Sequence, residues 1–449
     1  MIFIVVVIIA TIFITRYRSN NISPVQFGGG GDGKLIGDID QLLTASCSMT
    51  NDQIFPGSAL QGQLSATINQ SENNYLERWK SELSNMIEYT SQQQFQSSRD
   101  LMELCFTTLY HFHASYLLNY KVSHAILWSN VVRKIYPSID YTSYKCLADL
   151  SDTSGVDDRK IKVCFVNCFA NELHSVTRDR AGIIIKLNPH KFEKHLVYLD
   201  QPVQKQGLVT ALMNSVPAEN HHPINSAEFL FEPGKIIETL RDLQFDVIVF
   251  QELGMNPVSY LLAHCRLAPK QITTWGHSIT SGISTVDYYF SSKWFEPLSN
   301  QRYYSEKLLL MDSLGTYYPT INPPEPSREY IERLKLPENA KIICCMQNYF
   351  KLQSEWFQVM RELLRENKDY ILLLQIPLKT EKTGGIFFEQ KYQAQLKNLL
   401  GDLSQIRFIE TLPYNVYLQL LQQSDLIVDP YPFGGCNTSL DSFVLGKIV

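Results

Sequence analysis

The sequence predicts an α/β protein of two Rossmann-like domains facing a cleft, preceded by a helical N-terminal region. Three observations predict it. From residue 156 onward, short apolar strands alternate with helical patterns, the signature of parallel strands joined by right-handed crossovers. The proline-rich stretch Pro323–Pro326 divides that alternation into two blocks. At the C-terminal end, the apolar strand Leu426–Val428 runs through Asp429, Pro430 and Pro432 into the turn Gly434–Gly435. The chain then restarts as a helix that contains Asp441.

The elements follow in order. Residues 1–18 hold the continuous apolar run Ile2–Ile14, followed by Arg16 and Arg18. The run is short of the roughly 20 residues a bilayer span needs. It lacks the basic start and small-residue cleavage site of a signal peptide. It is a candidate membrane anchor, and arginines on its C-terminal side would keep the body of the chain cytoplasmic. Residues 19–71 are rich in Ser, Asn, Gln and Gly, with four glycines at Gly28–Gly31, and read as a linker. Residues 72–150 are helical in pattern: Leu101, Leu104, Cys105 and Leu109 recur at helical spacing, as do Leu117, Leu118, Val122 and Ile126. No self-similarity at a helix–turn–helix repeat period is visible, so a small helical cap is expected.

The first Rossmann-like domain spans 156–322. Its predicted strands are Lys160–Asn167, one within Glu193–Asp200, Asp246–Phe250, Gln271–Trp275 and Tyr288–Ser291, with a helix over Ile236–Leu243. The second spans 327–449. It reads as strand Lys341–Met346, helix Ser354–Asn367, strand Tyr370–Ile376, helix Phe388–Leu400, strand Gln405–Phe408, helix Val416–Gln423 and strand Leu426–Val428.

Composition bounds the function. The chain has 449 residues, 45% hydrophobic and 19% charged, which suits a globular enzyme rather than a disordered chain. A net charge of −5 and the lack of a basic stripe with interleaved aromatics argue against a nucleic-acid partner. The nine cysteines form no CxxC pair and no disulfide framework, which fits reduced, buried thiols in the cytosol. Cys344 and Cys345 are adjacent on a strand and so point to opposite faces.

Ligands of doubly wound sheets sit at the carboxyl ends of the strands. His174, Glu252, His277, Lys351 and Asn437 all follow strand ends. The glycine turn at Gly434–Gly435 presents the N-terminal amides of a helix, which favour a phosphate. Asp441, one turn in, is placed to accept hydrogen bonds from a ribose diol. Read alone, the turn is a plain connection, Lys351 a solvated surface charge, and Glu252 a helix-capping acid. His277 with Ser281 and Gly282 is then a turn.

The order Pro-Phe-Gly-Gly-x-Asn-Thr-x-x-Asp at 432–441 is more specific, and it resembles the donor-sugar loop of the O-linked N-acetylglucosamine transferase / SPINDLY family. Four more segments match in order: Arg159–Arg180, Arg266–Ser292 (RLAPKQITTWGHSITSGISTVDYYFSS), Tyr304–Leu309 (YSEKLL) and Leu336–Leu352 (LPENAKIICCMQNYFKL). The resemblance covers residues 159–449 and implies a GT-B glycosyltransferase that is inverting and metal-independent. It implies transfer of a sugar, N-acetylglucosamine from UDP-GlcNAc in the first instance, to Ser or Thr of a protein acceptor. Relatives that use GDP-fucose or a UDP-hexose leave the donor open. No cofactor is implied beyond the nucleotide-sugar substrate.

By the same resemblance, Lys351 binds the donor diphosphate beside Gln347, and Gly434, Gly435, Cys436, Asn437, Thr438 and Asp441 form the donor loop. His174 is a polar group on the acceptor side. Glu252, from its place after a buried strand, reads as a carboxylate at the cleft mouth, and His174, Lys351 and Glu252 are the candidate catalytic residues. His277, Ser281 and Gly282 lie on the acceptor side of the cleft. No Asp-x-Asp stands at a comparable strand end, so no metal site is expected. Two departures matter. Cys436-Asn437-Thr438 stands where animal members carry His-Thr-Thr, and Tyr414 and Tyr417 stand where their Lys and His hold the base. Asn437-Thr438-Ser439 is also a glycosylation sequon, which favours a cytosolic enzyme over a lumenal one. The chain ends at Val449, where the family pattern continues, so the resemblance implies a truncated catalytic region. The rival reading is a non-catalytic nucleotide-sugar-binding or scaffold protein.

Overall fold

The computed structural model describes residues 122–142, 159–170, 174–199, 207–231, 233–319, 321–348, 351–352, 354–375, 396–397, 399–401, 403–431 and 433–449. The predicted segment 1–18, the linker 19–71, residues 72–121 and 143–150 of the helical region, and the first part of the predicted helix from Phe388 lie outside them. Among the described residues, no helix is long and apolar enough to cross a membrane; Ile2–Ile14 lies outside them. The chain divides into two compact units, with the boundary between residues 320 and 321.

The first unit is built on a seven-stranded parallel sheet. Its strands are β1 (Ile161–Asn167), β2 (Phe192–Leu199), β3 (His221–Ile224), β4 (Val247–Phe250), β5 (Lys270–Thr274), β6 (Tyr288–Ser292) and β7 (Lys307–Met311), in the order β3-β2-β1-β4-β5-β6-β7. Its helices include α1 (Val122–Ile135), α2 (Ser175–Lys186), α3 (Gly207–Asn214), α4 (Ser226–Phe231), α5 (Pro233–Asp242) and α6 (Pro257–His264). Strand order reverses between β1 and β4, which is where a sheet of this kind opens a crevice at its carboxyl edge. One core layer packs Val163 and Phe165 of β1 and Leu196 of β2 against Ala181 and Ile184 of α2 and Leu212 of α3.

Two strands lie outside the sequence expectation. β3 reads HHPI, which lacks an apolar run, and its proline is tolerated because β3 is an edge strand. β7 is the opposite edge. Helix α1, the described part of the predicted helical region, packs into this unit, burying Ala125, Trp128, Ser129 and Val132 at helical spacing. Ser129 Oγ lies 3.0 Å from His264 Nε2 of α6, and Arg133 Nη2 donates to Ser284 Oγ at 2.9 Å.

The second unit holds α7 (Glu329–Arg333), β8 (Lys341–Cys345), α8 (Ser354–Glu366), β9 (Tyr370–Gln375), β10 (Ile406–Ile409), α9 (Tyr414–Gln423), β11 (Leu426–Ile427) and α10 (Asn437–Val444). Its four described strands are parallel in the order β10-β9-β8-β11, so strand order reverses between β8 and β11. The sheet is covered on both faces. Ile343, Cys345, Leu372 and Leu374 face Trp356, Phe357, Met360 and Leu364 of α8. Ile342, Cys344, Ile371 and Leu373 face Leu418 and Leu421 of α9. Cys344 and Cys345 therefore do point to opposite faces, both fully buried, and burial pushes the Cys344 thiol up to about 12. Each buried large apolar side chain contributes roughly 1.5–3 kcal/mol relative to exposure.

Candidate functional site

In the second unit the chain leaves β8 through Gln347 and Lys351 and leaves β11 through Asp429 and the glycine turn. Both exits stand at the point where strand order reverses. Lys351 Nζ donates to Gln347 Oε1 at 3.0 Å and to the Gly434 carbonyl at 3.3 Å, and it lies 5.1 Å from the centre of the Phe433 ring. The ammonium thus bridges the β8 exit and the glycine turn. Burial pushes it below the usual lysine range, and the Asp429 carboxylate acts against that shift. Gln347 Nε2 donates to Thr438 Oγ1 and, at 3.2 Å, to Asp429 Oδ1.

A Cβ on Gly435 would stand 2.6 Å from Asp429 Oδ1 and would also overlap the Gln347 amide and the Thr438 hydroxyl, so any side chain there would have to displace these three side-chain ends. α10 starts directly after that turn, with Cys436 at its N-cap position and Asn437 and Thr438 in its first turn. A helix leaves its first N–H groups without partners inside the helix, and its dipole is positive there. The structure therefore brings Gln347, Lys351, Gly434, Gly435 and Thr438 into one bonded group, with Cys436 and Asn437 adjoining it. The arrangement can hold an anion between a fixed cation and helix amides.

Asp441 lies one turn into α10. It is only 1% exposed, and its Oδ1 accepts a hydrogen bond from the Tyr414 hydroxyl at 3.0 Å. Tyr414 and Tyr417 stack with ring centres 5.9 Å apart. Asp429 and Ser439 were not singled out from the sequence. Asp429 accepts from Gln347 and, at 2.7 Å, from Ser439 Oγ. The available signal was an acid at a strand end, five residues before the glycine turn.

In the first unit, His174 and Glu252 follow the adjacent strands β1 and β4. His174 caps α2: its Nδ1 accepts from the Val176 N–H at 3.3 Å, and its ring stacks on Phe169 with centres 4.0 Å apart. Burial pushes it down to about 4, so it is neutral near pH 7. With Nδ1 accepting, the single ring proton sits on Nε2, and His174 presents a donor there.

Glu252, expected at the mouth of a cleft, is instead enclosed at 1% exposure. Its Oε2 accepts from the Met255 N–H at 2.9 Å and its Oε1 lies 2.6 Å from Ser259 Oγ, so the carboxyl group ties the β4 exit to α6. Burial pushes it up to about 8. Ser281 and Gly282, expected on the acceptor side, are packed inward. Glu306 accepts from the Ser281 N–H at 2.8 Å, from its hydroxyl, and from Thr280 Oγ1 at 2.7 Å. Gly282 has φ +70°, and a Cβ on it would fall on the Ala125 backbone of α1. His277 is also buried, and its carbonyl accepts from the Tyr289 hydroxyl at 2.9 Å. Among the described residues, no group of three or more His, Cys, Asp and Glu side chains could hold a metal ion.

No protein-family model matches the chain. A UDP-glucose:protein N-beta-glucosyltransferase from Actinobacillus pleuropneumoniae serotype 5b is 24% identical over 206 residues, 45% of this chain and 31% of that protein. A probable SPINDLY UDP-N-acetylglucosamine–peptide N-acetylglucosaminyltransferase from Eustoma exaltatum subsp. russellianum is 22% identical over 216 residues, 47% of this chain and 22% of that protein. The chain thus spans under a third of the length of the curated relatives it matches. The solved O-GlcNAc transferase of Thermobaculum terrenum superposes with a TM-score of 0.58 at 15% identity, covering 76% of this chain and 61% of that one, a likeness that shows the fold. Over the part it matches, the chain is similar in sequence to protein glycosyltransferases that include SPINDLY, and it has the GT-B fold of the solved O-GlcNAc transferase.

Proposed function

We propose that the chain binds a nucleotide-diphosphate sugar at the β8/β11 exits and transfers the sugar to protein, with inversion and without a divalent metal. One observation carries the reading: the Lys351 ammonium is fixed between the β8 exit and the glycine turn that opens α10. In such a transfer an acceptor hydroxyl attacks the anomeric carbon, the bond to the diphosphate breaks, and the hydroxyl proton passes to water or to the departing diphosphate. Negative charge grows on the diphosphate, and a preorganised cation with helix amides stabilises it. His174, neutral with its proton on Nε2, suits hydrogen-bond donation better than proton abstraction, so no base is assigned. Glu252 serves the loop that it ties.

UDP-GlcNAc with a Ser or Thr acceptor is the leading substrate pair, in keeping with the SPINDLY relatives. A UDP-hexose is the second reading, favoured by the relatives named for glucose transfer to protein. GDP-fucose is a third donor to test. Hydrolysis of a panel of nucleotide sugars by the protein decides among them. UDP-GlcNAc should be hydrolysed, and Lys351→Ala should lower that rate by about two to three orders of magnitude, the effect of removing one preorganised electrostatic donor. A rate within a few-fold of the parent removes Lys351 from the chemistry. Donor binding with no turnover of any sugar would favour the non-catalytic rival.

A further inference from the structure

We infer that Asp429 is a positioning residue that orients Gln347 and Lys351 for the donor diphosphate; this rests on the reading of Lys351 just given. Asp429 stands at the β11 exit, five residues before Gly434, and connects three elements. Its Oδ1 accepts from Gln347 Nε2 at 3.2 Å, at the β8 exit. Its Oδ2 accepts from Ser439 Oγ at 2.7 Å, in the first turn of α10. Its own backbone carbonyl accepts from Trp356 Nε1–H at 2.9 Å, which pins the β11 exit to α8.

The bond to Gln347 decides which way that amide faces. With the NH2 group on Asp429 and Thr438, the amide oxygen is left to face Lys351 Nζ at 3.0 Å. A flipped amide would set donor against ammonium. A neutral side chain at 429 that could itself donate would no longer enforce the choice.

Charge adds a second effect. The groups that act on the Lys351 ammonium are Asp429, the Cys436 thiol and the Cys345 thiol, and of these Asp429 acts most strongly. Burial favours the uncharged amine, and the Asp429 carboxylate opposes it. Asp429 lies behind the Gln347 amide and the Gly435 turn, so it acts through its neighbours rather than on the donor.

The test compares Asp429→Asn, Ser439→Ala and Lys351→Ala in UDP-GlcNAc hydrolysis across neutral to alkaline pH, with circular dichroism to check the fold. Asp429→Asn keeps an oxygen for Gln347 but loses the charge. Its kcat should fall about tenfold, the difference between a charged and a neutral hydrogen bond, with KM little changed. Its alkaline limb should move to lower pH, because Lys351 then loses its proton more readily. A merely structural role would not move that limb.

If Asp429→Asn fails to fold, Ser439→Ala serves instead. It removes only the Oδ2 bond and should lower kcat a few-fold. A folded Asp429→Asn, or Ser439→Ala in its place, with the parent's kcat and alkaline limb overturns the inference, provided Lys351→Ala shows its large loss. A Lys351→Ala rate within a few-fold of the parent overturns the underlying site reading instead, so the two failures are distinguishable.

Discussion

The Tyr414 hydroxyl donates to Asp441 Oδ1 at 3.0 Å and ties α9 to α10 through a carboxylate that is almost wholly buried. Tyr414 stands where the animal members of the resembling family place a base-holding lysine, so this bond joins the expected base side of the site to its expected ribose acid.

If Asp441 accepts ribose hydroxyls, Asp441→Asn should weaken UDP binding at least tenfold. Each charged hydrogen bond is worth roughly 1.5–3 kcal/mol, and about 1.4 kcal/mol is one decade. UDP and UDP-sugar should lose affinity alike, because they share the ribose. Tyr414→Phe keeps the carboxylate and should weaken UDP less. A lower melting temperature with unchanged UDP affinity in folded Asp441→Asn would leave the residue as a tie between helices.

Glu252 gives a pH prediction. Its folded value of about 8 lies above its ordinary 4.5 because burial disfavours the charge. Its contribution to stability is therefore full below about 4.5 and is lost as pH rises toward 8. Glu252→Gln, neutral and of the same shape, should flatten the fall in melting temperature between those limits and keep turnover. Loss of turnover in a folded Glu252→Gln would restore the catalytic role the sequence suggested.

Metal dependence is a third test. The charge on the leaving diphosphate is assigned to Lys351 and helix amides, and no Asp-x-Asp occurs at a comparable strand end. Activity should survive excess chelator. Loss on chelation that manganese or magnesium restores would show that the leaving group is stabilised by a cation from solution.

The parts of the fold legible in the sequence are those whose physics is local. β1, β4, β8 and β9 are apolar runs buried in parallel sheets, and α8 and α9 carry their apolar residues at helical spacing. β3 was illegible because two histidines and a proline give it no pattern, and only its place at the sheet edge makes it a strand. The strand, glycine turn and helix start at 426–444 were legible because glycine turns and helix starts are sequence-local. Asp429 was not, since its partners Gln347 and Trp356 lie far away in sequence. The roles of Ser281 and Gly282 likewise depend on Glu306 and Ala125, which the chain brings to them only on folding.

The central claim is that Lys351 and the glycine turn hold a nucleotide diphosphate, and calorimetric titration with UDP tests it most directly. The parent should bind UDP saturably at one site. Lys351→Ala, folded, should bind at least about tenfold more weakly through loss of a charged hydrogen bond. No UDP binding by the parent, or equal affinity in parent and variant, would contradict it.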